Sequence, residues 1–204
     1  MKSVIAGLAL AAMGCAAFTA QAATPDISWT YLSAGYARVS LNNVAGNDVD
    51  LNGYQLNGSY SLSDNWYLHA TYYDVSGDLP VLGDIMGLEL EATEWQLGLG
   101  LRQAVSDNID SFFQAGYVRS EVGVVGFEND SMNGLQAAAG FRYRALPKLE
   151  LSAALRYNDG SDAESSTYGD IGMRYSMTKM FDLYLNYQFD SDASLLGAGV
   201  VVNF

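Results

Sequence analysis

Cysteine is almost missing from this chain. Cys15 is the only one, and it lies in a segment expected to be removed. The remainder can build neither a disulfide framework nor a cysteine-ligated metal centre. Histidine is as scarce, with His69 alone, and there is no Gly-x-Ser-x-Gly elbow, metal-ligand cluster or phosphate-binding loop. No catalytic, cofactor or metal site is therefore expected. Positive charge is short: 10 Lys and Arg stand against 23 Asp and Glu, a balance that argues against nucleic acid, whose recognition needs basic patches. Beyond residue 22 no run of 18 apolar residues occurs, which excludes a transmembrane helix there. Three prolines against 21 glycines and 14 tyrosines suit many closely spaced strands.

The first residues have another character. Met1-Lys2-Ser3 is basic, Val4 to Ala20 is nearly free of polar groups, and Ala20-Gln21-Ala22 offers an A-x-A site. This is the pattern of a secretory signal peptide, residues 1–22, cut after Ala22 with Ala20 and Ala22 as the small cleavage-site residues. Ala12-Met13-Gly14 before Cys15 match a lipoprotein signal poorly. Export leaves one domain, residues 23–204, and loss of Lys2 takes the formal charge from −13 to −14.

In that domain almost every segment alternates. From Glu94 to Arg102, Trp95, Leu97, Leu99 and Leu101 share one face, and Glu94, Gln96, Gly98, Gly100 and Arg102 the other. Asn133 to Ala145 and Phe181 to Phe189 repeat the pattern. A period of two is the signature of strands. A soluble sandwich would carry Lys and Glu on its polar face; here that face is mainly Gly, Ser, Gln and Asn, as in a confined, hydrated interior. Aromatic residues bracket the apolar face: Tyr72, Trp95, Tyr117, Tyr157 and Tyr187 near one end, and Trp66, Tyr143, Tyr175, Phe181 and Phe204 near the other. Such rings prefer the two membrane–water interfaces.

Connections alternate as well. Short turns fall at Ser63-Asp64, Ser106-Asp107, Leu146-Pro147 and Thr178-Lys179. Longer connections fall near 40–52, 76–91, 121–132, 158–167 and 190–195. The spacing predicts ten strands near 28–39, 53–62, 65–75, 92–104, 108–120, 132–145, 148–158, 167–177, 180–189 and 196–204, with eight as the alternative. The fold class is thus all-β, an antiparallel up-and-down transmembrane β-barrel with both termini and the short turns on the periplasmic side of an outer membrane. It must close, because lipid cannot satisfy an open strand edge.

The chain ends Val200-Val201-Val202-Asn203-Phe204, with Val200, Val202 and Phe204 on the lipid face. A last strand ending in Phe resembles the signal read by the outer-membrane assembly machinery. With the leader and the hairpin repeat, the whole domain resembles the small outer-membrane β-barrel families, the opacity and OmpA/OmpX-like proteins. The resemblance implies assembly and location in an outer membrane, with lipid and lipopolysaccharide as surroundings.

The inward face holds charge. Arg102, Arg142, Arg144, Arg174, Glu150 and Asp182 are expected near the periplasmic end, and Arg38, Glu94, Arg156 and Asp170 higher up. Unpaired charge in a narrow lumen is costly, so a paired network is expected. Paired charges favour a filled lumen, and Gly-rich polar walls favour a narrow passive pore for small solutes or ions. His69 is expected inside, as a satisfied interior residue. The connection 76–91 is unusually apolar, from Leu79-Pro80-Val81-Leu82 to Ile85-Met86 and Leu88. It is expected to cover the barrel mouth or meet a surface partner. The leading expectation is a non-enzymatic barrel with a structural or surface-interaction role through its extracellular loops.

Overall fold

The computed structural model describes residues 27–44, 47–79, 88–127, 129–160 and 165–204. The expected signal peptide with Ala20 and Ala22, Cys15, and the apolar centre of the 76–91 connection lie outside them. The strands are β1 (Tyr31–Val44), β2 (Asn47–Ser61), β3 (Trp66–Asp78), β4 (Glu89–Ser106), β5 (Ile109–Val124), β6 (Asp130–Leu146), β7 (Leu149–Gly160), β8 (Ser166–Ser176), β9 (Phe181–Phe189) and β10 (Ala193–Asn203). All pairs are antiparallel and follow chain order, and β1 pairs with β10 to close a ten-stranded barrel. At the seam Tyr31 sits opposite Asn203 and Leu41 opposite Ala193. Ten strands thus replace the eight-stranded alternative.

The expected long connections are mostly strand. β1 and β2 continue to Val44 and from Asn47, and β9 and β10 are joined by residues 190–192 alone. Apolar alternation persists into these stretches, as in Val39 and Leu41 facing Val49 and Leu51, so the ladder continues past the membrane as ribbons. β5 runs seven residues beyond Tyr117, on the order of 20 Å at ~3.3 Å per residue.

Side-chain hydroxyls fix the short turns. Ser63 Oγ accepts the backbone N–H of Trp66, and Thr178 Oγ1 accepts that of Phe181. At the opposite end, Asp190 Oδ1 accepts the N–H groups of Asp192 and Ala193. Such side-chain turns let two to four residues reverse the chain.

The outer wall is an apolar band that includes Leu32, Leu99, Leu155, Leu183 and Val200, all exposed. Trp66, Tyr143, Tyr175, Phe181 and Phe204 lie outward on the short-turn side of this band, and Tyr72, Trp95, Tyr117, Tyr157 and Tyr187 outward on the other. Tyr36, Tyr54 and Phe189 join the upper set. Several upper rings anchor their hydroxyls on a neighbouring strand: Tyr36 on Asn52, Tyr54 on Asp74 at 3.3 Å, Tyr117 on Asn133 at 2.6 Å. An amphipathic ring held by a polar tip suits the membrane–water boundary.

Candidate functional site

The lumen has three levels. At the periplasmic level the chain before β1 turns inward. Ile27 and Trp29 are buried, Trp29 to 4% of its surface. Trp29 continues the inward face of Tyr31 and Ser33 by the same period of two. Its ring lies 4.5 Å from Tyr67 and 5.8 Å from Phe112, between centroids, and the Arg142 guanidinium stacks over it at 4.4 Å. Trp29 Nε1 donates to Asp110 Oδ2 at 2.6 Å. Ser59 Oγ donates to the Trp29 carbonyl at 2.7 Å, and Arg142 Nη1 to the Ser28 carbonyl at 2.9 Å. The segment thus seals the side of the lumen bounded by β2 to β6.

Three ion pairs line the facing wall: Arg142 with Glu150 at 2.7 Å, Arg156 with Asp170 at 2.7 Å, and Arg174 with Asp182 at 2.9 Å. Each joins neighbouring strands, and each has the same diagonal. Arg142 lies opposite Ser152, Arg156 opposite Tyr168 and Arg174 opposite Tyr184, while each acid sits one inward position nearer the short turns. Asn203 completes the lowest pair, donating to Asp182 at 2.8 Å and accepting from Arg174 at 2.9 Å. Charges so desolvated need such partners.

The other charges expected in the network are held differently. Glu94 accepts Gln96 and Ser120, both at 2.6 Å. Arg102 Nε donates to the Asp64 carbonyl at 2.8 Å. Arg144 faces the periplasmic vestibule. Arg38 is a correction. Ala37 and Val39 take the inward positions, so Arg38 points outward, 47% exposed, and pairs with Asp50 at 2.5 Å. It sits above the Tyr36 ring, where water reaches the outer wall and charge is tolerated. His69 is inside, as expected, buried in the lumen with Gly98 opposite, where an added Cβ would strike its ring, but it is not satisfied as expected: its Nε2 has no hydrogen-bond partner among the described residues.

Mid-lumen holds a cavity of about 180 Å³ lined by Gln55, Gln96, Gln114, Tyr184, Asn186 and the Arg156–Asp170 pair, among others. A second, of about 140 Å³, lies beside Trp29 and shares Arg156, Asp170 and Arg174 with it. A third, of about 160 Å³, leads to the outer mouth past Tyr73 and Gln188. At the outer level the β1–β4 side is closed by apolar packing of Ala37, Val49, Leu51 and Val75 under Val39, Leu41, Leu79 and Leu90. The interior there is apolar, unlike the face of mainly Gly, Ser, Gln and Asn that the alternation led one to expect. Sequence reasoning also missed Trp29, Asp110, Tyr67 and Phe112; the inward parity shared by Ile27, Trp29 and Tyr31 was the available signal.

A closed ten-stranded barrel with a lipid-facing band and a polar lumen is an integral membrane barrel of the outer-membrane kind. The match to the family "Outer membrane protein beta-barrel domain" spans residues 6–204, and the chain belongs to that family. Among solved structures it is similar in fold to the NanC porin (TM-score 0.51, 9% identity, covering 85% of this chain and 99% of that one). It is similar too to the KdgM porin in complex with disordered oligogalacturonate (TM-score 0.50, 13% identity, 84% and 99%). The Ail attachment invasion locus protein of Yersinia pestis aligns with a TM-score of 0.47 and 15% identity over 84% of this chain and 97% of that one. No curated protein matches the sequence. The protein is therefore a small integral outer-membrane β-barrel in contact with lipid and lipopolysaccharide.

Proposed function

We propose that this protein is a non-enzymatic barrel, closed through its lumen, that serves the envelope structurally and meets the outside through its extracellular ribbons. The observation that carries this reading is the Trp29 seal. One buried ring, one hydrogen bond, two aromatic neighbours and a stacked guanidinium fill the β2–β6 side of the periplasmic end, and apolar packing closes the β1–β4 side of the outer level. The ribbons supply the exposed surface: Val125 and Phe127 stand at the β5–β6 tip, Phe127 66% exposed. The apolar 76–91 connection remains the proposed partner-facing loop on the neighbouring hairpin. Among the described residues neither a nucleophile nor an orienting carboxylate is bonded to His69, which supports a non-catalytic role. The outward Phe204 at the closing strand supports a role as the signal to the assembly machinery.

A second reading, a narrow passive pore, is favoured by the polar cavities stacked along β6–β9. Planar-bilayer recording on the inserted barrel separates the two. The closed reading expects silence from barrels shown to be folded; reproducible unitary steps would replace it with the pore.

A further inference from the structure

The mid-lumen cavity is a polar chamber with a way in from outside. It holds about 180 Å³ and adjoins the cavity of about 160 Å³ at the outer mouth, with Tyr73, Gln188 and Leu195 lining both. The Trp29 seal lies below it, so a solute reaches the chamber from outside whether or not the lumen conducts. Its hollow comes from Gly172. This glycine has Ser152 opposite on β7 and Asn186 opposite on β9, and no side chain of its own stands between them.

Four side chains lining the chamber are fixed at one end and unused at the other. Gln55 reaches across the lumen from β2 to β9, and its Nε2 donates to the Tyr184 hydroxyl at 2.9 Å and to Asn186 Oδ1 at 3.0 Å. Arg156 Nε donates to Asp170 Oδ2 at 2.7 Å. The other polar atoms of these side chains are Gln55 Oε1, Asn186 Nδ2, Asp170 Oδ1 and the two Arg156 Nη atoms. They make no hydrogen bond among the described residues, and none of them is shielded from solvent. Two acceptor oxygens and three donor nitrogens therefore line one chamber, oriented and accessible. Charge selects further. Arg156 is cancelled by Asp170 and Arg174 by Asp182, while the approach passes Glu94 and Asp190. An anion is repelled at that approach, and a cation finds no uncancelled carboxylate in the chamber. An ion of either sign would give up water for a wall without net charge. A hydroxyl group both donates and accepts, which matches the mixed set. A cavity of ~150 Å³ takes a six-carbon ring, so this one takes about eight non-hydrogen atoms.

We infer that this chamber is a binding site for a compact, uncharged polyol that enters from the outer mouth. Gln55 and Asn186 take hydroxyls on one side, and the unused edges of the Arg156–Asp170 pair take them on the other. Few precisely held polar groups in a small concave site give such binding its selectivity.

The test is a saturation-transfer NMR titration of the purified full barrel in a polyoxyethylene detergent, at high salt to screen the acidic ribbons. The probes are erythritol, succinate and putrescine, four-carbon molecules of neutral, negative and positive charge. Erythritol should bind about tenfold more tightly than either ion. Ser152→Leu fills the space over Gly172, and Asn186→Leu removes a donor. Each should lose about tenfold in erythritol affinity while keeping the gel mobility of a folded barrel. Phe127→Ser, altered on the outer ribbon, should bind as the parent does. No erythritol binding would overturn the proposal, as would succinate or putrescine binding equally well. So would a folded Ser152→Leu barrel that binds like the parent, or an equal loss in Phe127→Ser.

Discussion

Trp29 Nε1 donates to Asp110 Oδ2 at 2.6 Å, tying the segment before β1 to the opposite wall, on β5. The bond crosses the lumen, and both partners are buried. Trp29→Ala would leave a cavity and an unpaired buried carboxylate. The loss should be about 3–5 kcal/mol in urea unfolding from lipid bilayers. The same variant should turn a silent barrel into one with small conductance steps. Unchanged stability and continued silence would remove Trp29 as the seal.

The Arg156–Asp170 pair lies in mid-lumen at 2.7 Å, both side chains largely shielded. Removing one charge strands the other. Arg156→Ala should cost about 3–5 kcal/mol, and adding Asp170→Ala should recover much of that loss. A double-mutant cycle by equilibrium unfolding measures the coupling; additive losses would show that the two do not act as a pair.

Leu99 is 47% exposed between the two aromatic belts, in the outer apolar band. Leu99→Arg should destabilise the inserted barrel by about 2–4 kcal/mol, the cost of a cation near the bilayer centre. The outward Arg38, already above the belt, should tolerate Gln with little change in stability, as an exposed ion pair does. Equal effects at the two sites would move the membrane band.

Gly100 faces the buried Tyr67 ring, and a Cβ there would run into its carbon atoms. Tyr67 is itself held by Trp29, so it has little room to give. Gly100→Ala should cost about 1–3 kcal/mol and lower the yield of the compact, heat-modifiable form. Tyr67→Phe in the same background should not rescue it, because the ring carbons make the clash.

The wall of the barrel was legible because alternation reports directly which side chains meet lipid. Leu97, Leu99 and Leu101 face out and Gln96, Gly98 and Gly100 face in, as their spacing requires. The same rule placed Arg142, Glu150, Arg156, Asp170, Arg174 and Asp182 inside. It failed at Arg38, where Ala37 and Val39 hold the inward positions. It understated the strands beyond the belts, where Val39, Leu41, Val49 and Leu51 continue the ladder through stretches rich in Asn, Asp and Gly.

By itself the sequence determined the strand period, the two aromatic belts, the inward charges and the need to close, since each follows from local alternation and from the demand that lipid face no free backbone group. Only the tertiary structure decided which charges pair and where the lumen is filled. Those outcomes join residues far apart in sequence, Trp29 with Asp110 and Gln55 with Asn186. They depend on which strands are neighbours, at what stagger, and no local pattern carries that information.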